Sequence, residues 1–308
     1  MPDNNSKGVA DDLVVKVSSN FKVYSFSKKH KPVLRVKPGT VIIFEVKDCF
    51  DDQLNLNTEE PLNIEAVDKS RVNPATGPVW IDGAMPGQTL EVEILDVKVS
   101  EKGFISRKVF KIADGKIEMD SLRIPIKPLI GVIGVAPSRG KVSTKAPGNH
   151  GGNLDTPEVC AGSKVFIPIW VEGGLLAMGD VHAVQGDGEV SGQGLEVSAE
   201  VKVRVKLHPS RVLDEVLVDT GSDLVVLASS ESLEDAVKKA LKAAQTLLQK
   251  SLGLSERDAL ILLSLTSNLG ISQIVNPLKT AKVKIPKNII PVRLENLLKK
   301  STRAQRVR

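Results

Sequence analysis

Two short segments carry the residues whose types and spacing could do chemistry. Asp180 and His182 are two apart. In a strand both side chains leave the same face, and a carboxylate oxygen and an imidazole nitrogen placed so can chelate one metal ion. His150 and Asp155 can supply further ligands from a second glycine-rich loop. A mixed His and Asp set suits zinc, or another divalent metal with open positions. D-x-H is short and has many chance matches. The other reading of the same residues is a glycine-rich hairpin with a satisfied histidine.

Carboxylates follow close behind. Gly186-Asp187-Gly188 reads as a turn, and Asp187 as its turn residue. Glu189 begins the next strand facing the same way as Asp187, and a carboxylate beside a metal site is a natural general base. Glu196 reads as the polar face of its strand. Cys49, in Asp48-Cys49-Phe50-Asp51-Asp52-Gln53, is the candidate for a thiol nucleophile. The acids around it would raise the thiol pKa, and a lone cysteine reads equally well as a small buried hydrophobe. His30, within Lys28-Lys29-His30-Lys31, reads as a surface residue, and His208 as the end of a strand. There is no phosphate-binding loop, nucleophile elbow or dinucleotide fingerprint set as a strand-to-helix turn.

These residues need a β scaffold, and the sequence predicts one. Leu13 to Val17, Val33 to Val36 and Val41 to Val46 are short runs rich in valine and isoleucine, broken by turns such as Lys37-Pro38-Gly39-Thr40. Leu90 to Val99 reads as a half-buried antiparallel strand, and 100–121 as further strand and loop. Residues 131–194 hold 14 of the 24 glycines, where an even spread gives about five. Such density points to tight turns or to backbone brought close to a ligand. From Leu195 to Leu207 apolar and polar residues alternate without a break, which predicts one regular strand. Helix is expected only as a pair within 231–270. Ser232 and Ser255 have the N-cap pattern, Gly253 is a stop, and the apolar run Leu260 to Leu263 predicts a buried second helix. The expected fold is mainly β, with β-sandwich or barrel-like sheets and a C-terminal α+β part holding the two helices. The expected division is an N-terminal β domain over 1–130 and a glycine-rich catalytic region over 131–308.

Composition excludes other classes. The 308 residues are ample for a core, with 41% hydrophobic residues and no apolar stretch long enough for a transmembrane helix. Met1 to Ala10 is polar where an export signal needs an apolar centre. Two cysteines make no disulfide framework, so a cytoplasmic protein is expected. The net charge of +5 comes from Lys299, Lys300, Arg303, Arg306 and Arg308, because the residues before them balance. With 3% aromatics, that reads as a solvated tail and not a nucleic-acid footprint. The expected partners are a small substrate and further copies of the chain, as a dimer or higher homo-oligomer, with no nucleic acid and no membrane.

Several stretches resemble the acetamidase/formamidase family of amide hydrolases. They are DCFDDQ (48–53), TGPVWIDGAMPGQTLEVEI (76–94), GVIGVAPSRG (131–140), HGGNLD (150–155), VEGGLLAMGDVHAVQGDGEVSGQGLE (171–196) and LGISQIVNPLKTAKVKIPKNI (269–289). The resemblance implies hydrolysis of short linear amides to acid and ammonia, a mainly β architecture, and a divalent metal near the histidines. The family usually has Glu at Asp82 and often Met at Leu154. On this reading His150, Asp155, Asp180 and His182 hold the metal, with zinc expected. Glu189 is the general base, and Gly151, Gly152 and the Asn153 amide hold the oxyanion. Asp82 and Gln53 orient the amide nitrogen. The rivals are a non-enzymatic β-sandwich with a structural metal, and an amidase using Cys49 as nucleophile.

Overall fold

The computed structural model describes residues 13–292 and 294–299. Of the basic C-terminal group only Lys299 is among them; the rest, like Met1 to Ala10, lies outside the described residues. The chain builds two nine-stranded sheets. The first runs in the order Val14–Val17, Val41–Val46, Ala199–His208, Thr89–Val99, Lys164–Pro168, Val216–Asp219, Asp223–Ser230, Lys279–Pro286, Asn268–Gln273. The second centres on Leu129–Gly134, Leu176–His182 and Ala75–Ile81, with Gly151–Asn153 at one edge and Glu196–Val197 leading to the Lys102–Ile105 and Lys108–Lys111 hairpin. Both sheets are open. The expected division at residue 130 runs through both of them, since each takes strands from either side of it.

One apolar core joins the two sheets. Val92, Ile94, Val201, Val203 and Val205 of the first pack in a common cluster with Val79, Ile130, Ile133, Met178 and Val181 of the second. The alternation in the sequence produces this: each valine of Ala199–His208 points inward while Lys202, Arg204 and Lys206 point out. Burying side chains of this size stabilises by about 1.5–3 kcal/mol each.

The regular alternation from Leu195 to Leu207 is not one strand. The chain is extended over Glu196–Val197 and again over Ala199–His208, and between them, at Ser198, it passes from the second sheet to the first. Glu196 pairs with His182, whereas Ala199 pairs with Val46 and Val99. The hydrophobic period survives because both pieces face the same core. The change of sheet brings Glu196 inside, with 2% of its surface exposed.

A second core lies on the other face of the first sheet. Phe166, Leu217, Leu224, Val226 and Val283 meet helix α1 (Leu233–Leu252) and helix α2 (Glu256–Thr266) there. The Ser232 hydroxyl accepts from the Asp235 N–H, the Ser255 hydroxyl from the Asp258 N–H, and Gly253 ends α1 with φ +69°. The expectation of a buried second helix is corrected. Leu260 and Ile261 are about half exposed and only Ala259 and Leu263 are buried, because α2 covers the margin of the sheet with one face alone. A short third helix, α3 (Leu294–Leu298), was not expected. No helix among the described residues is long and apolar enough to cross a membrane.

Candidate active site

The second sheet brings Asp180 and His182 to one end of the Leu176–His182 strand. Asp180 has φ +54°, so the strand is irregular there, yet the two side chains stay together: His182 Nε2 is 3.7 Å from Asp180 Oδ1. Glu196 on the paired strand is nearer, with Oε1 3.3 Å from the same nitrogen. Asp155 enters from the loop after Gly151–Asn153, and Glu189 from the turn after the Asp180 strand. One ligand atom each of Asp155, His182 and Glu189 lies within 4.8 Å of the others, and so do one each of Cys49, Asp180 and Glu196. All six residues are buried. Asp155 and Glu189 also hold positive φ, at +42° and +48°. Three strained carboxylate residues in one place mark a site whose surroundings hold them there.

Local hydrogen bonds fix each group. His182 Nδ1 is 2.6 Å from Gln185 Oε1, and Gln185 Nε2 donates to the Asp155 carbonyl oxygen at 2.8 Å. The amide therefore presents its oxygen to Nδ1, which must donate, and Nε2 is turned to the carboxylates. Asn73 donates to Asp180 Oδ2 at 2.8 Å and Asn276 to Asp155 Oδ2 at 2.6 Å. The Asp48 carboxylate accepts from the N–H groups of Phe50 and Asp52, and buried Asp51 takes Lys22, Arg71 and Tyr24. This bracing sets the turn that puts Cys49 into the cluster. Gly131 lies behind it: a Cβ there would collide with Asp155 Oδ1 and come within 2.7 Å of the Asp180 carbonyl oxygen. Only glycine lets the strand approach so closely.

The electrostatics are those of too many acids in one dry place. Burial, then the Asp180 charge, pushes the Asp155 carboxyl up to about 6. Burial, then Asp155, pushes Glu189 up to about 9. Burial pushes Glu196 up to about 7, although the His182 imidazolium pulls it down. His182 itself is held well above the usual imidazole range: burial opposes its charge, but Glu196 and Asp180 favour it more. Burial, then Glu196 and Asp180, holds the Cys49 thiol well above its ordinary value. Asp155 Oδ1, His182 Nε2 and Glu196 Oε2 are buried with no hydrogen-bond partner. Orphaned buried carboxylate oxygens and an imidazole nitrogen that can give up its proton, beside surplus negative charge, fit a bound divalent cation.

A pH dependence follows. The three carboxyls have raised folded pKa values, so from about pH 4.5 to about pH 9 the folded chain binds more protons than the unfolded one, and stability falls as pH rises. The raised His182 acts in the same sense: its contribution is complete below about pH 6.5 and is lost above. In chelator, the melting temperature is expected to fall by on the order of 5 °C or more between about pH 5 and pH 9. Zinc should flatten that slope. A melting temperature in chelator that rises over this range would refute the charge assignment.

Cys49, Asp180, Glu189 and Glu196 of the cluster line a cleft of about 420 Å³. Asn153, Asn276 and Gln193 line it with amides, and Phe50, Ile64 and Val275 line it with apolar surface. Gln193 Nε2 has only a long contact, 3.7 Å, to Cys49 Sγ. Among residues that sequence reasoning singled out, Asp155, Asp180, His182, Glu189 and Asn153 are thus brought together. His150 belongs to neither cluster of ligand atoms. It is buried edge-on to Phe26, and burial pushes it down to about 4, so it is neutral. Gly151 spends its N–H on Gly148, and Gly152 pairs across the sheet with Ile133. Asp82 binds Arg35 at 2.9 Å on the surface, and Gln53 ties its loop to the backbone of Asp68. Glu196, Cys49, Asn73, Gln193 and Asn276 complete the site. Gln193, Glu196 and Asn276 lie in stretches that carried the family resemblance, whereas periodicity showed Glu196 as one more polar residue in an alternating strand.

Comparison with known proteins gives consistent matches. A family model described as Acetamidase/Formamidase family matches residues 25–115 and 139–291. The crystal structure of an acetamidase from Bacillus halodurans is 37% identical, with a TM-score of 0.85, over 92% of this chain and 99% of that one. A predicted acetamidase/formamidase from Thermoanaerobacter tengcongensis is 38% identical, with a TM-score of 0.87, over 93% of this chain and 98% of that one. A formamidase of Methylophilus methylotrophus is 26% identical over 57% of this chain. The chain spans about three-fifths of the length of that relative, 61%.

Proposed function

Since the chain belongs to the acetamidase/formamidase family, we propose that it hydrolyses short linear amides of the formamide and acetamide type to carboxylic acid and ammonia. The work is metal-dependent, in the cytoplasm and in a homo-oligomer. The observation that carries this reading is the packing of Asp155, Asp180, Glu189 and Glu196 around His182, with Asp180, Glu189 and Glu196 lining the cleft. His182 Nε2, Asp155, Asp180 and Glu196 would hold a divalent metal; zinc is the ion to test first, and three carboxylates also suit manganese or magnesium. When bound, the metal supplies a Lewis acid and the positive charge that keeps these carboxyls ionised at neutral pH.

The chain's own groups do the rest. Glu189, on the wall of the cleft, takes a proton from the attacking water and delivers it to the departing nitrogen. Gln193 Nε2, held only by the long contact to sulfur, and the Asn153 amide at the wall receive the carbonyl oxygen as it gains charge. Phe50, Ile64 and Val275 exclude water from the acyl side. Cys49 keeps a second reading alive, because its sulfur sits within 4.8 Å of the Asp180 and Glu196 oxygens, where one carboxylate could act as its base.

The test is ammonia release from formamide, acetamide and longer amides, with and without chelator. Turnover that chelator abolishes and zinc restores supports the metal reading. Full turnover in chelator would leave the thiol route, and no turnover on any amide would overturn the assignment.

A further inference from the structure

Lys282 is a lysine with 1% of its surface exposed, on the Lys279–Pro286 strand of the first sheet. Its stem lies across Gly270 on the neighbouring strand, where a Cβ would come within 3.1 Å of Lys282 Cε. Its ammonium is 3.0 and 2.9 Å from the two Glu158 oxygens and 2.5 Å from Asp187 Oδ1. Burial alone would raise the Glu158 carboxyl. Lys282, helped by Lys284 at 3.1 Å, outweighs burial and holds it below the usual range.

The positions of the two acids give this contact its meaning. Glu158 stands three residues after Asp155, and Asp187 two residues before Glu189. The same turn is stitched to the end of the Asn268–Gln273 strand, where Gly188 donates to the Ser272 carbonyl at 2.8 Å and Ile274 to the Gly188 carbonyl at 3.2 Å. On the far side of the turn the carboxylates of Asp155 and Glu189 meet, one oxygen of each lying within 4.8 Å of the other and of a His182 ring nitrogen. Two segments whose functional carboxylates meet in the cluster are therefore fastened together by one buried cation behind them.

We infer that Lys282 is a positioning residue. Through Glu158 and Asp187 it ties the loop of Asp155 to the turn of Glu189 and so sets the spacing of those two carboxylates. The inference rests on the amidase reading given above. Lys282 touches neither substrate nor metal and acts only through the two acids.

Asp187→Ala is the informative variant. Asp187 is half exposed, and Glu158 still neutralises the buried ammonium, so the fold is kept. Backbone exchange at Gly188 and Ile274 is expected to speed up on the order of tenfold while the melting temperature stays within about 2 °C. Turnover is expected to fall on the order of tenfold to a hundredfold with KM changed less than about twofold, because misplacing a group by about 1 Å costs rate and not binding. Asp187→Asn keeps an acceptor and should recover most of both losses, and Lys282→Arg should keep the turn protected. Unchanged exchange at Gly188, or unchanged turnover in Asp187→Ala, overturns the inference. A wild-type chain without amide turnover would instead overturn the amidase reading, and the exchange result would still decide whether Lys282 couples the two loops.

Discussion

Replacing His182 with alanine is expected to remove both the bound metal and the amidase activity, whereas Cys49→Ser should keep the metal and most of the turnover. His182 is the single imidazole in the cluster. Gln185 holds Nδ1 as a donor, so Nε2 is aimed at the carboxylates, and alanine cannot replace a nitrogen ligand there. Losing several kcal/mol of transition-state charge stabilisation, about 4, corresponds to about a thousandfold in rate. The Cys49 thiol is held protonated by burial and by the acids beside it, so it is poorly made for nucleophilic attack. Serine fits its place with a small packing loss. Metal content per chain and ammonia release should be measured together, with His150→Ala as a control that retains both. An active His182→Ala with a dead but folded Cys49→Ser would reverse the mechanism in favour of a thioester route.

Glu189→Gln is expected to abolish most turnover while leaving the metal bound and the fold as stable as before, or more so. Glutamine has nearly the same shape but accepts no proton at neutral pH, and removing a general base costs on the order of a hundredfold to ten-thousandfold. The stability half of the prediction comes from the environment. Glu189 is buried against Asp155, with its carboxyl pushed up to about 9, so ionising it costs the folded state. A neutral amide relieves that cost, and in chelator at about pH 8 the melting temperature should not fall. A variant that gains stability and loses rate is the signature of a strained functional group. Unchanged turnover would show that Glu189 is not the base.

Much of this scaffold could be read from residue order alone. Valine alternation marked the long strands, and Ser232, Gly253 and Ser255 marked the helix ends. Both signals are local. The D-x-H pair was legible for the same reason, since two residues on one strand end need no long-range knowledge to be neighbours. What could not be read was the switch of sheets at Ser198, because hydrophobic period reports which face is buried and not which sheet the strand joins. Glu196 was therefore taken for a polar surface residue. His150 shows the converse. Its glycine-rich setting resembled a ligand loop, but packing on Phe26 turns the ring into the wall of its own turn. Asn73, Gln193 and Asn276 enter from separate loops; the last two lie in stretches that carried the family resemblance, but no local pattern of residues points to their shared cleft.

The reach of Asn276 has a consequence for how the protein comes into being. The cluster opens with Cys49 and closes with Asn276, which bonds Asp155 and the Asn153 carbonyl oxygen from the loop between the last two strands of the first sheet. A nascent chain can bury most of its valines on the ribosome well before that loop emerges. It cannot complete the cleft until Asn276 has been made and is free to reach Asp155. Catalytic competence should therefore lag behind compactness during translation, and chains stalled before residue 276 should be folded in large part yet silent.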